Sequence, residues 1–269
     1  MDVDITTEGQ HFPALATDRG SGTITVMGGT MTTTGEGSPG IYSTGNITVS
    51  DSVITATGSE AAVIEGKNSI SITNVTLSGA KKCGAMLYQS FSGDAEVGIS
   101  IFKMSGGSLT AAVGPLFYIT NTNSIIELKD ADLTAISGTL LTACADRWGN
   151  TGSNGGVVTL KAENETLNGN ITCDNISSVT VILQTALTSH INPENTAGSM
   201  SLTLDSSSTW NVTGNSYLMS LKDEDSSLAN IKDNGYIVYY GAEESINSWL
   251  EGKTYTLTDG GKLTPLQTE

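Results

Sequence analysis

Three tyrosines and one carboxylate return at similar intervals along this 269-residue chain: Tyr42, Glu65 and Tyr88 stand 23 residues apart, and Tyr118 and Thr142 follow at longer steps. If the segments that carry them stack, these side chains form one column. A tyrosine ring packs on the apolar face of a sugar ring while its hydroxyl bonds the sugar's hydroxyls, and a carboxylate accepts further bonds. Arg147 and Trp148, within ADRWGNTGSNGG, could wall the same column, as could Phe91, Asp94 and Glu96 within QSFSGDAEVG. The candidate ligand-binding residues are therefore Tyr42, Glu65, Tyr88, Tyr118, Trp148 and Arg147. The plainer alternative is a stack of tyrosines that only fills a groove.

Other chemistries find less support. A calcium-assisted lyase needs clustered carboxylates and a basic residue. The only arginines are Arg19 and Arg147, and Asp130 and Asp132 would share one side of a strand with no acidic partner to complete a shell. The run Asp223, Glu224, Asp225 reads as a solvated loop. A glycosidase needs carboxylates about 5–10 Å apart, whereas Glu65 and Glu127 fall in different columns. His11 and His190 lie outside the repeats, and the GxSxG nucleophile motif is absent. A flat threonine array would suit ice. Thr25 and Thr48 begin one, and Ser71, Lys103 and Glu127 interrupt it. The expectation is a chain with no catalytic residues and no required cofactor, with calcium left open and no metal ligands assigned.

A column of site residues requires elements that repeat. NITVSDSVITATGSEAAVIEGKN, Asn46 to Asn68, reads as three short strands joined by small turn residues, and the pattern restarts at Ser69. Such a unit cannot bury its own apolar face, but it can once the next unit lies on top of it. First-strand pairs align as Ile24/Val26, Ile47/Val49, Ile70/Ile72, Phe102/Met104, Ile126/Leu128, Val158/Leu160, Val181/Leu183 and Leu202/Leu204. Two long intervals call for insertions near residues 89–98 and 145–156. A second column holds Met31, Ile54, Leu77, Leu109 and Leu133, each after a tight bend; the glycine pairs of GGTMT and GGSLT fit positive φ there. A third column is read as Ile41, Ile64, Leu87, Phe117 and Leu141. Polar residues between the inward positions, Thr25, Thr48, Ser71, Lys103, Glu127 and Thr159, mark a wet face. Asparagines of the N-x-S/T sequences at Asn46, Asn74, Asn164, Asn170, Asn175 and Asn211 are expected at tight corners.

Three inward columns per unit imply an all-β, three-sheet solenoid, with roughly eight or nine rungs at about 4.8 Å each. Residues 1–22 are expected to cap its start, 23–214 to form the rungs and 215–269 to close its end. The net charge of −16, with 12 Lys plus Arg, excludes a nucleic-acid partner and attraction to anionic membranes. Cys83, Cys144 and Cys173 are too few and too scattered for a disulfide framework and read as fillers of small apolar sites. MDVDITTEGQ lacks the basic start and apolar run of a signal peptide, so a secreted chain would begin here after a trimmed leader.

With its 23-residue units, GGTMT and GGSLT turns and Asn-rich corners, the chain resembles the right-handed parallel β-helices of bacterial cell surfaces. These are adhesin-like proteins and non-catalytic carbohydrate-binding relatives of pectate lyases. GSPGIYSTGNITVS, SEAAVIEGKNSISIT and MLYQSFSGDAE carry the likeness, which spans about residues 20–215. It implies an extracellular location and contact with polysaccharide, host glycan or a surface protein. A structural stalk with no sugar site, and a polysaccharide lyase or glycoside hydrolase of the same fold, are the alternatives.

Overall fold

The structure, a computed structural model, describes residues 3–19 and 21–266. Short β-branched segments between glycine and asparagine corners stack in parallel, in register, into a β-solenoid of about eleven turns. Every interior strand bonds the coil before it and the coil after it. The rod has three faces. Thr23–Met27, Asn46–Ser50, Thr122–Lys129 and Ser199–Leu204 lie on the first face, and Thr30–Thr33, Val53–Ala56 and Asp132–Ala135 on the second. The long strands Ser69–Gly79, Ile99–Ala111, Gly156–Asn168 and Ser178–Ser189 turn the corner and serve both. Ile41–Ser43, Ala62–Glu65, Ala85–Tyr88, Phe117–Thr120, Thr139–Ala143 and Asn170–Cys173 form the third.

Like residues sit above like. Ile47, Ile70, Phe102 and Ile126 form one continuous inward row, all fully buried. Met31, Ile54, Leu77, Leu109 and Leu133 form the second row, as the spacing requires. No single coil could shield these side chains, so their burial stabilises each coil only through its neighbours.

Two rows differ from the sequence reading by two residues. Ile126 pairs with Leu160 rather than Val158, and Lys161, not Thr159, follows Glu127 in the outward row. On the third face Ile41 pairs with Ala62, and Ala62 with Ala85, while Ile64 belongs with Ser43, Leu87 and Ile119. Side chains alternate with a period of two, so a slip of two keeps every inward residue inward and leaves the polarity pattern unchanged.

The corner between the first and second faces is built from a left-handed residue. Gly28, Asp51, Asn74, Gly106, Asp130 and Asn164 all have positive φ there. Glycine enters this region freely and Asn or Asp at modest cost. Gly107 has a second reason, since a Cβ on it would lie 2.3 Å from the Val75 carbonyl oxygen. Asn74 donates to Asp51 on the previous coil, and Asn164 to Asp130. Asp130 thus occupies the corner while Asp132 starts the second-face strand, rather than both lying on one side of a strand.

One corner breaks the pattern. Asn164 and Glu165 stand opposite the single Thr185, a β-bulge that leaves Glu165 buried. One of its carboxylate oxygens accepts from the Ala131 N–H at 3.0 Å, and the other is buried with no partner. Burial, aided by the charges of Asp130 and Asp132 and opposed by the Ala131 bond, raises the carboxyl to about 7. The fold therefore favours the protonated form. The stability this lends is whole below the unfolded value of 4.5 and is lost as pH rises through about 7. Solvent screening at the corner holds that loss to about 1–2 kcal/mol. Urea unfolding at about pH 5 and about pH 8 should show wild-type stability falling with pH by more than that of Glu165→Gln.

At the C-terminal end, parallel pairing continues through Ser216–Leu218, Ile237–Tyr240 and Lys262–Pro265. The 3-10 turn Ser245–Leu250 lies beside Ser220–Asp223. Its buried Asn247 accepts the Leu221 N–H at 2.8 Å and donates to the carbonyls of Met219 and Gly241. This satisfies an edge strand that would otherwise present free backbone groups. At the other end, Asp4–Thr7 pairs on the second face and Leu15–Ala16 on the third.

A candidate binding groove on the third face

The third-face register splits the expected column in two. Tyr42, Val63, Met86, Tyr118, Thr142 and Thr172 form one outward row, and Glu65, Tyr88 and Thr120 form another. The residues still meet, because tyrosine reaches across two positions. Tyr42 and Tyr88 both donate to one oxygen of Glu65, the latter at 3.1 Å, and their own hydroxyls stand 3.3 Å apart. The other oxygen accepts from Ser90 and from Ser92, the latter at 3.1 Å. Glu65 is 1% exposed and Tyr88 8%. The glutamate is thus a buried hub under the first insertion, not a side chain offered to solvent. Burial first, and then the bond to Glu65, push the Tyr42 phenol well above its usual range; burial does the same for Tyr88.

Both insertions leave the chain after third-face strands, between Tyr88 and Ile99 and between Ala143 and Gly156. The second folds back toward the start of the rod. Asn154 holds its turn by donating to the carbonyls of Asp146 and Trp148 at 2.6 and 2.8 Å. Trp148 thereby reaches Tyr88, two coils earlier, with ring centroids 5.2 Å apart and planes tilted by 50°. The Arg147 guanidinium lies 4.8 Å from the centre of the Trp148 ring. Among the described residues Arg147 has no carboxylate partner. The indole N–H of Trp148 is buried and finds no acceptor in the protein.

These side chains wall a cavity of about 370 Å³. It is lined by Tyr42, Val63 and Met86 of the outward row, by Tyr88, Trp148 and Arg147, and by His11, Pro39, Glu60 and Lys82. Lys82 pairs with buried Glu60 at 3.0 Å. Four of the six candidate residues therefore line the cavity, and Glu65 is bonded to two of them. Tyr118 is not among them: it donates to Asp146 at 3.0 Å and accepts from the Cys144 thiol at 3.3 Å, and burial raises its phenol too. The remaining insertion residues also turn elsewhere. Phe91 is exposed, Asp94 pairs with Arg19 at 2.5 Å, and Glu96 lies 3.9 Å from Lys67.

Sequence reasoning missed His11, Pro39, Glu60 and Lys82. One signal could have found the second pair: Gly40 and Gly84 each precede a third-face strand, and aligning them gives the true register. His11 comes from a segment with no repeat pattern. Cys83, Cys144 and Cys173 are all free thiols. Burial pushes Cys173 up to about 12, so it is an inert core thiol. Among the described residues no three Asp, Glu, His or Cys side chains are grouped to hold a metal ion, and no helix is long and apolar enough to cross a membrane. Comparison of the chain with protein-family models, with curated proteins and with solved structures gives no match, so the parallel β-solenoid and its groove stand on their own geometry.

Proposed function

We propose that this chain is an extracellular, adhesin-like surface module that holds a polysaccharide or host glycan in the third-face groove without transforming it. The observation that carries this reading is the aromatic wall. Trp148 is placed against Tyr88 by an insertion that crosses two coils, above a cavity that also takes Tyr42 and Arg147. Indole and phenol faces suit the C–H face of a sugar ring, and Arg147 and Lys82 supply donors for its oxygens. Kinship with adhesin-like β-helices and a bacterial, secreted origin belong to the same proposal. The rod would serve as a spacer if no glycan bound.

Trp148→Ala removes the wall without touching the core. It is expected to weaken binding about tenfold or more, or about 1.4 kcal/mol, to whichever glycan the wild type retains. Affinity electrophoresis against a panel of neutral and acidic polysaccharides checks this. Equal retention of wild type, Trp148→Ala and Arg147→Ala would remove the groove from the explanation.

A further inference from the structure

The second face carries an array that the groove does not use. Flanking its buried row of Met31, Ile54, Leu77 and Leu109 are two outward columns in strict register. One reads Thr6, Thr32, Thr55, Ser78, Thr110, Thr134 over six consecutive coils. The other reads Thr30, Val53, Thr76, Ser108, bounded by Asp4 and Asp132. Between those two aspartates every outward side chain on these columns is a threonine, serine or valine, on a chain with a net charge of −16.

The fold does not demand this. The matching outward positions on the first face carry Lys103, Glu127 and Lys161 in a ladder with contacts of 2.7 and 3.3 Å, so charged side chains are accommodated equally well on the same solenoid. Nor are the hydroxyls consumed internally. Thr33 and Thr57, beside the array, donate to the Ser38 and Thr33 carbonyls. Among the described residues, Thr30, Thr32, Thr55, Thr76, Ser78 and Thr110 form no side-chain hydrogen bond.

The spacing is fixed in both directions. Coils repeat at about 4.8 Å and alternate residues along a strand at about 6.7 Å, so the longer column extends for about 24 Å. Threonine has a stiff χ1, and Met31, Ile54, Leu77 and Leu109, fully buried between the outward pairs of the four central coils, pin the backbone beneath them. The result is a rigid, uncharged grid of hydroxyl and methyl groups. A surface that matches it must itself be neutral, repetitive and rich in O–H groups, with repeats close to these two spacings. An ice lattice plane meets all three conditions. We propose that the second face, from Thr6 to Thr134, binds the surface of ice crystals. The proposal concerns a different face from the groove and does not depend on glycan binding.

The test uses the full chain. Growth of single ice crystals, ice recrystallisation and partition of fluorescently labelled protein into a growing ice hemisphere are measured for wild type, Thr55→Lys, Thr110→Lys and Thr48→Lys. Thr48 lies on the first face and serves as the control. Each variant's thermal unfolding is recorded, and either second-face variant that remains folded suffices. Wild type and Thr48→Lys are expected to slow recrystallisation and enter the ice. Thr55→Lys and Thr110→Lys should need at least tenfold more protein for the same effect. The proposal is overturned if the wild type is excluded from ice, if Thr48→Lys loses as much as Thr55→Lys, or if the second face binds crystalline cellulose and not ice.

Discussion

Trp210→Ala is expected to lower the unfolding free energy by about 3–5 kcal/mol, the range for deleting a large aromatic from a packed core. Trp210 is the largest fully buried side chain, and its indole N–H donates to the Ser189 carbonyl at 3.1 Å. It pairs with Leu187 on one side and Ile231 on the other, so the cavity opens between two coils. A rod in which each coil touches only its neighbours has no distant packing to absorb the loss. The damage should therefore stay local. Hydrogen exchange is expected to show protection lost across about residues 209–240 while Asn46–Gly79 is unchanged. Trp210→Phe refills most of the volume and forfeits the hydrogen bond, for a cost of about 1–2 kcal/mol. A uniform loss of protection along the rod, or a loss under about 1 kcal/mol for the alanine variant, would contradict this account.

The fold was readable because stacking forces like residues into columns. Ile24, Ile47, Ile70, Phe102 and Ile126 stand at intervals that no other architecture explains, and the structure places them in one row. Corner chemistry was readable in part: Gly28 and Gly106, and Asn74 and Asn164, announce positive φ by residue type, whereas Asn46, Asn170 and Asn211, expected at corners too, belong to strands. What polarity alone does not fix is register within a face. The step from Ile126 to Leu160 was read on Val158, and that from Ile41 to Ala62 on Ile64, each two residues away. Ala62 and Ala85 are buried in that row, but hydrophobic ranking passes over so small a residue. The count of eight or nine rungs was low against about eleven because strands in the two end segments, Asp4–Thr7 and Leu15–Ala16 at one end and Ser216–Leu218, Ile237–Tyr240 and Lys262–Pro265 at the other, also pair in parallel.

The site was half readable. Tyr42, Glu65 and Tyr88 were singled out by interval, and they do converge, although through a hydrogen-bonded hub rather than a sugar-facing ladder. Tyr118, chosen by the same rule, is drawn off by Asp146 and Cys144. Trp148 and Arg147 were found because an aromatic and a cation in a glycine-rich insertion are conspicuous. Their contact with Tyr88 depends on which way the insertion folds, and that direction is set by Asn154 through bonds no periodicity encodes. The hydroxyl array of the second face is the reverse case. Its residues are plain in the sequence, but only the three-dimensional register aligns Thr32, Thr55, Ser78, Thr110 and Thr134, while the first-face threonines stop at Ser71 and Lys103.

Glu65→Ala should be as damaging as any core truncation, about 3–5 kcal/mol, because four hydroxyls lose their shared acceptor at once. No cation balances this carboxylate among the described residues. Its charge is held by Tyr42, Tyr88, Ser90 and Ser92 alone, two at each oxygen. Without it the Tyr42 and Tyr88 hydroxyls retain only each other, the first insertion loses its anchor, and Tyr88 no longer presents a fixed face to Trp148. Glutamine keeps the shape and one acceptor oxygen, so Glu65→Gln should cost only about 1 kcal/mol. Tyrosine ionisation separates lost bonding from lost packing. Raised phenols lend stability that is whole below the unfolded value of 10.0 and is lost as pH rises beyond it. In the wild type, Tyr42 and Tyr88 should be among the last of the eight tyrosines to ionise in an alkaline absorbance titration. In Glu65→Ala they should ionise earlier, and Trp148 fluorescence should move to longer wavelength as its stacking partner loosens. An alanine variant with wild-type stability and an unchanged titration would mean that the insertion and the tyrosines hold one another without the carboxylate.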